Sequence, residues 1–148
     1  MHITNFKVSL LVVILFCVIA ESSIASDWVF VTGNDDAKIF VDMQSLRIHE
    51  RDVKVWEKWV YVRPKEVKNS SLKNTYNLEV DLSIYHCDED TAQLLQVDRY
   101  ADQKGSLLLM ESFTYPETPP HELEIVPDSF GEAVLEYVCK VKKVPKNR

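Results

Sequence analysis

The chain has 148 residues, is 46% hydrophobic and carries a formal net charge of −6. That length suits one domain with a single core. The acidic balance argues against nucleic acid as a partner, because such a chain repels a phosphate backbone, and the basic end "KVKKVPKNR" reads as a solvated tail.

In chain order, Lys7 precedes the uncharged apolar run Val8 to Ala20, which is too short for a comfortable membrane span. Small residues follow, with Ser23 and Ala25 placed as a cleavage site. Residues 1–25 therefore read as a secretory signal peptide and 26–148 as the single mature domain, not integral to a membrane once cleaved. Cleavage removes Cys17 and leaves Cys87 and Cys139 in an oxidising compartment, where a lone pair of cysteines is expected to form a disulfide. Closing that loop would remove unfolded-state entropy worth about 4 kcal/mol.

"DWVFVTG", Asp27 to Gly33, is a β-branched and aromatic strand, "NDD" a turn, and "AKIFVD", Ala37 to Asp42, the partner strand of a hairpin. "MQSLRIHERD" is a polar connection. "VKVWEKWVYV", Val53 to Val62, is a strand with aromatics on both faces, which Pro64 should end. "RPKEVKNSSLKN" is a polar loop with a formal glycosylation sequon at Asn69. Thr75 to Cys87 alternates: Tyr76, Leu78, Val80, Leu82 and Ile84 on one side, Asn77, Glu79, Asp81 and Ser83 on the other. This predicts a half-buried antiparallel strand.

Strands over Ala92 to Ala101 and Ser106 to Tyr115 flank the turn "DQKG", and "PETPP" breaks the chain. Ser129 with Glu132 three residues on is a capping box, and Phe130, Ala133, Val134, Tyr137 and Val138 share one helical face. The expected fold is α+β: an antiparallel sheet of about five or six strands, a C-terminal helix packed on one face, and one disulfide.

Several stretches could carry chemistry. "YHCDED" gathers His86, Cys87, Asp88, Glu89 and Asp90, and with His49 or His121 it could suggest a metal site or a thiol hydrolase. No HxH, HExxH or CxxC spacing is present, and no calcium-loop pattern. A bridged Cys87 has no thiolate, and its acidic neighbours would oppose one. No GxSxG occurs, and Ser129 is accounted for as a helix cap. These residues point to no cofactor, no metal and no catalytic group. Trp56, Trp59, Tyr61 and Tyr115 are the candidate binding surface, because a sheet face the helix does not cover must expose its aromatics or bury them in a homodimer.

The mature chain resembles the bacterial surface-adhesin protein E family. The resemblance runs from Trp28 to Cys139. It is carried by "WVFV", "IFVDMQSL", "VKVWEKW", the cysteine of "YHCDED" followed by "LLQVDRYADQKGS", and most specifically by "IVPDSFGEAVLEYVC". It implies an antiparallel sheet with a helix packed against it, a Cys87–Cys139 bridge and no catalytic residues. It also implies a place in the periplasm or on the outer surface of a Gram-negative bacterium. The family takes its name from a member that attaches bacteria to host extracellular-matrix and serum proteins, so the expected partner is a host or envelope protein. Relatives tend to place basic residues after the mid-chain cysteine and a Trp shortly before the helix. Here Asp88, Glu89 and Asp90 follow the cysteine and "PPHELEIVP" leads to the helix, so no ligand-contacting residue carries over. The other readings are a periplasmic accessory or inhibitor protein, or a small metal-binding or hydrolytic enzyme centred on His86 and the acidic turn.

Overall fold

The computed structural model describes residues 25–67, 74–103, 106–118, 120 and 122–142. The apolar run before residue 25, Cys17, the Asn69 sequon, His121 and the tail beyond residue 142 lie outside them.

The chain orders as β1 (Trp28–Gly33), β2 (Ala37–Asp42), β3 (Arg47–His49), β4 (Asp52–Glu66), β5 (Thr75–His86), β6 (Thr91–Gln103), β7 (Ser106–Thr114), β8 (Glu122–Glu124) and α1 (Phe130–Lys142). Neighbouring strands run β1-β2-β4-β5-β6-β7, each pair antiparallel. The sheet thus has eight strands among the described residues, more than the five or six expected. The six long ones form the path, and the other two are three-residue strands off it. β3, inside "MQSLRIHERD", pairs with the start of β4, and β8, after "PETPP", pairs with the start of β6. β4 also runs on to Glu66, past Pro64. That proline falls between Val60 and Lys65, where the register against β5 shifts, so it removes no ladder hydrogen bond there.

Local chemistry explains the turns. In the β1–β2 hairpin Asn34 Oδ1 accepts hydrogen bonds from the Asp36 and Ala37 amides at 2.8 and 3.0 Å. A Cβ on Gly33 would come within 2.8 Å of the Ala37 carbonyl oxygen, so the close approach requires glycine. Glu50 (φ 50°) turns β3 into β4 and Asp90 (φ 53°) turns β5 into β6. Both adopt a left-handed conformation, which Asp tolerates better than most side chains.

α1 starts as its capping box predicts: the Glu132 amide donates to Ser129 Oγ at 3.2 Å. The return bond is displaced by one residue, with Glu132 Oε2 accepting from the Asp128 amide at 2.7 Å. The helix packs on β1, β4 and β5. Val134, Leu135, Val138 and Cys139 meet Ala37, Ile39, Val41, Val53, Val55, Tyr85 and Ala92 in the core. Cys87, in the β5–β6 turn, is bridged to Cys139 in the last turns of α1, with Cα atoms 5.7 Å apart. Among the described residues no helix is long and apolar enough to cross a membrane.

Candidate functional site

The two faces of the sheet divide differently from the simplest reading of the alternation. The face under α1 is set by Val53, Val55, Glu57, Trp59 and Tyr61 of β4, opposite Tyr85, Ser83, Asp81 and Glu79 of β5. The polar row of β5 therefore points to the helix side. The apolar row Leu78, Val80, Leu82 and Ile84 lies on the other face, which α1 leaves open.

On the helix side the core gives way to a buried polar strip. Glu57 and Asp81 stand directly opposite each other, 3% and 9% exposed. Glu57 accepts the Tyr85 hydroxyl at 2.7 Å. Burial raises the Glu57 pKa, against hydrogen bonds from Tyr85 and Ser83 that lower it. Burial, with Glu79 and Glu57 alongside, pushes Asp81 up to about 9, and Asp81 Oδ1 is enclosed with no hydrogen-bond partner among the described residues. Further along, Arg99 donates to Glu79 at 2.6 Å and to Glu111 at 3.0 Å. Its guanidinium lies 4.9 Å from the Tyr76 ring centre and 5.5 Å from that of Phe113. Burial opposes its charge, yet the bonds to Glu79 and Glu111 raise its pKa. Tyr61 donates to the other Glu79 oxygen at 3.1 Å. Every charged group here except Asp81 is spent on a neighbour, so the strip holds the sheet together and offers no free acid–base pair.

The open face has a different character. Lys58 sits 4.4 Å from the Trp28 ring centre and 5.0 Å from that of Phe40, and Phe30 meets Phe40 edge-on at 5.6 Å. Burial lowers the Lys58 pKa, partly offset by Asp42. Trp56 lines a shallow cleft of about 510 Å³ with Asp42, Gln44, Ser45 and Arg47. Ser45 Oγ accepts from the Trp56 amide at 2.9 Å and donates to the Asp42 carbonyl at 2.7 Å, which fixes the cleft wall. At one end Glu117 closes over this face, pairing with Lys54 at 3.3 Å while its carbonyl accepts from Gln93 Nε2 at 3.1 Å.

The four candidate aromatics do not form one patch. Trp56 is on the open face. Trp59 is on the helix side, edge-on to Phe130 at 5.9 Å, and Tyr61 joins it there, edge-on to Tyr76 at 5.8 Å. Tyr115 follows β7, its amide bonded to the Leu95 carbonyl at 2.8 Å. Sequence reasoning missed Trp28, Phe40 and Lys58 as a group. The signal was the pairing of β2 with β4, which sets Phe40 opposite Lys58.

"YHCDED" is a hairpin end. His86 Nδ1 lies 2.9 Å from Asp52 Oδ1, Arg51 pairs with Asp88 at 3.3 Å, and Cys87 is bridged. His86, Asp52, Arg51 and Asp88, with Glu50 and Glu89, line a cleft of about 280 Å³. Among the described residues no three His, Cys, Asp or Glu side chains are arranged to hold a metal ion. The bridge also takes the Cys87 thiol out of any nucleophilic scheme.

A family model described as surface-adhesin protein E matches residues 28–140. Three solved structures of Haemophilus influenzae protein E share the fold. The crystal form II structure has a TM-score of 0.56 at 15% identity, over 80% of this chain and 91% of that one. A second has 0.53 at 15%, over 80% and 88%. A third, from a non-typeable strain, has 0.52 at 15%, over 80% and 79%. Among curated proteins, none matches the chain by sequence.

Proposed function

Because the chain belongs to the surface-adhesin protein E family, we propose that it is an exported, non-catalytic protein-binding domain of a Gram-negative cell envelope that attaches to host matrix or serum proteins. Residues 1–25 direct export in this reading, and 26–148 bind. The family match over residues 28–140 carries the proposal, and the disulfide suits an oxidising compartment. The contact surface is the open face around Trp56, Trp28 and Phe40, where aromatic rings surround a partly desolvated lysine. Trp59 and Tyr61, packed on the helix side, support the fold beneath it.

The test is binding of the purified 26–148 protein to immobilised matrix and serum proteins and to host cells. Saturable binding is expected, with Trp56→Ala weakening it about tenfold or more, as truncation of an interface tryptophan typically does. Absence of saturable binding to all of them rejects the adhesion reading.

A further inference from the structure

β7 is the last strand of the path. Among the described residues its only strand partner is β6, so the backbone groups on its outer side have no ladder to join. Sheets normally protect such an edge with a short strand, a proline, a lysine or a bulge that turns it away. β7 is nine residues long, "SLLLMESFT", with neither proline nor lysine. A register shift falls between Arg99 and Tyr100, but the strand pairs with β6 on both sides of it. Its outward side chains are apolar: Leu107, Leu108 and Leu109 are each at least half exposed, and Phe113 is 40% exposed. Pairing with β6 sets Leu107 and Leu109 on the open face with Asp102 and Tyr100, and Leu108 on the helix side. Both sides of this end of the strand therefore present leucine to any neighbour.

The surroundings select the neighbour's charge. Asp98 and Asp102 of β6 lie on the open face beside this edge, and on the helix side Glu79 and Glu111 outnumber the Arg99 they share. Arg99 is the single Lys or Arg among the described residues from β6 through β8, and it is held by Glu79 and Glu111. A second copy would bring the same acids against these and be repelled. A strand with basic residues would be attracted.

We propose that the free edge of β7 is a strand-addition site, at which an extended segment of a partner protein with alternating apolar and basic residues continues the sheet. Backbone hydrogen bonds to Ser106–Thr114 give the affinity. Apolar side chains beside Leu107 to Leu109, and basic ones near Asp98 on the open face, give the selectivity. This rests on the protein-binding function proposed above and names the kind of partner it takes.

The probe is a labelled nine-residue peptide of alternating valine and lysine, titrated into the 26–148 protein and followed by amide NMR and hydrogen exchange. Expected are shifts and new protection confined to β7. Binding should be about tenfold weaker for the valine–glutamate peptide, for a lysine peptide N-methylated at alternate residues, and for the L107K/L109K variant. Both replaced leucines are more than half exposed, so the variant folds, and Leu109→Thr alone serves as a milder second variant. Shifts centred elsewhere, equal binding of the N-methylated peptide, or wild-type affinity in both variants overturn the proposal. So does a dimer in sedimentation whose formation requires Leu107 and Leu109. If matrix proteins bind wild type and L107K/L109K equally, the edge site fails and adhesion stands. If no matrix protein binds but the peptide marks β7, adhesion fails and the edge site stands.

Discussion

Asp81 is a buried carboxyl among other acids. Its carboxyl is buried opposite Glu57, one oxygen has no partner, and its pKa is pushed up to about 9 from an ordinary 3.8, first by burial and then by Glu79 and Glu57. Between those two values the folded chain holds a proton that the unfolded chain has released, so stability is full at acid pH and falls as pH rises through about 9. Glu57, also raised by burial, acts in the same direction. Asp81→Asn keeps the shape and removes the titration. Thermal melts should show it more stable than wild type at about pH 8, with the difference shrinking to nothing near pH 4. A difference that does not depend on pH would mean Asp81 is ionised in the fold. The carboxyl was legible in "NLEVDLS", but not its burial. Alternation placed it with Asn77 and Glu79 on what reads as a solvent face.

α1 is held at both ends by features plain in the sequence: the Ser129–Glu132 cap at its start and Cys139 near its finish. These should be separable. Ser129→Ala removes one acceptor from the first turn and should cost about 1 kcal/mol. Cys87→Ser/Cys139→Ser frees the loop of 52 residues and should cost about 2–4 kcal/mol, with greater hydrogen exchange in α1 than in β4 or β5. Denaturant titration measures both, and a loss spread evenly over sheet and helix would mean the bridge does not act through α1. The short strands β3 and β8 were not legible. Each is three residues, too short for a period-2 pattern, and each exists because β4 and β6 extend beyond their longer partners and leave backbone groups to be paired. The extension of β4 through Pro64 has a similar origin, since the register shift beside β5 makes room for a residue that cannot donate.

The molecule is a sheet with one face half covered by a helix and the other largely uncovered, and apolarity does not tell them apart. Leu78, Val80, Leu82 and Ile84 form the more apolar row, yet Val55, on the side with Glu57, is fully buried under α1. Val55→Thr places a hydroxyl in that core and should cost about 1–3 kcal/mol. Val80→Thr, on the open face, should cost less than about 1 kcal/mol. Equal costs in chemical denaturation would mean that something covers the open face in solution.

The amino-acid sequence alone determined the succession of the six long strands, the capped helix and its apolar stripe, the cysteine pair and the family resemblance. Each depends on residues near one another in the chain or on a simple count. Which side of the sheet receives the helix was decided by tertiary structure. So was the separation of Trp56 from Trp59 and Tyr61, and so was the leucine-lined edge at β7. Alternation says which residues share a face of a strand. It does not say which face a distant helix will cover, and that follows here from the place of Cys87 and from the valines at Val53 and Val55 that receive Val134 and Val138.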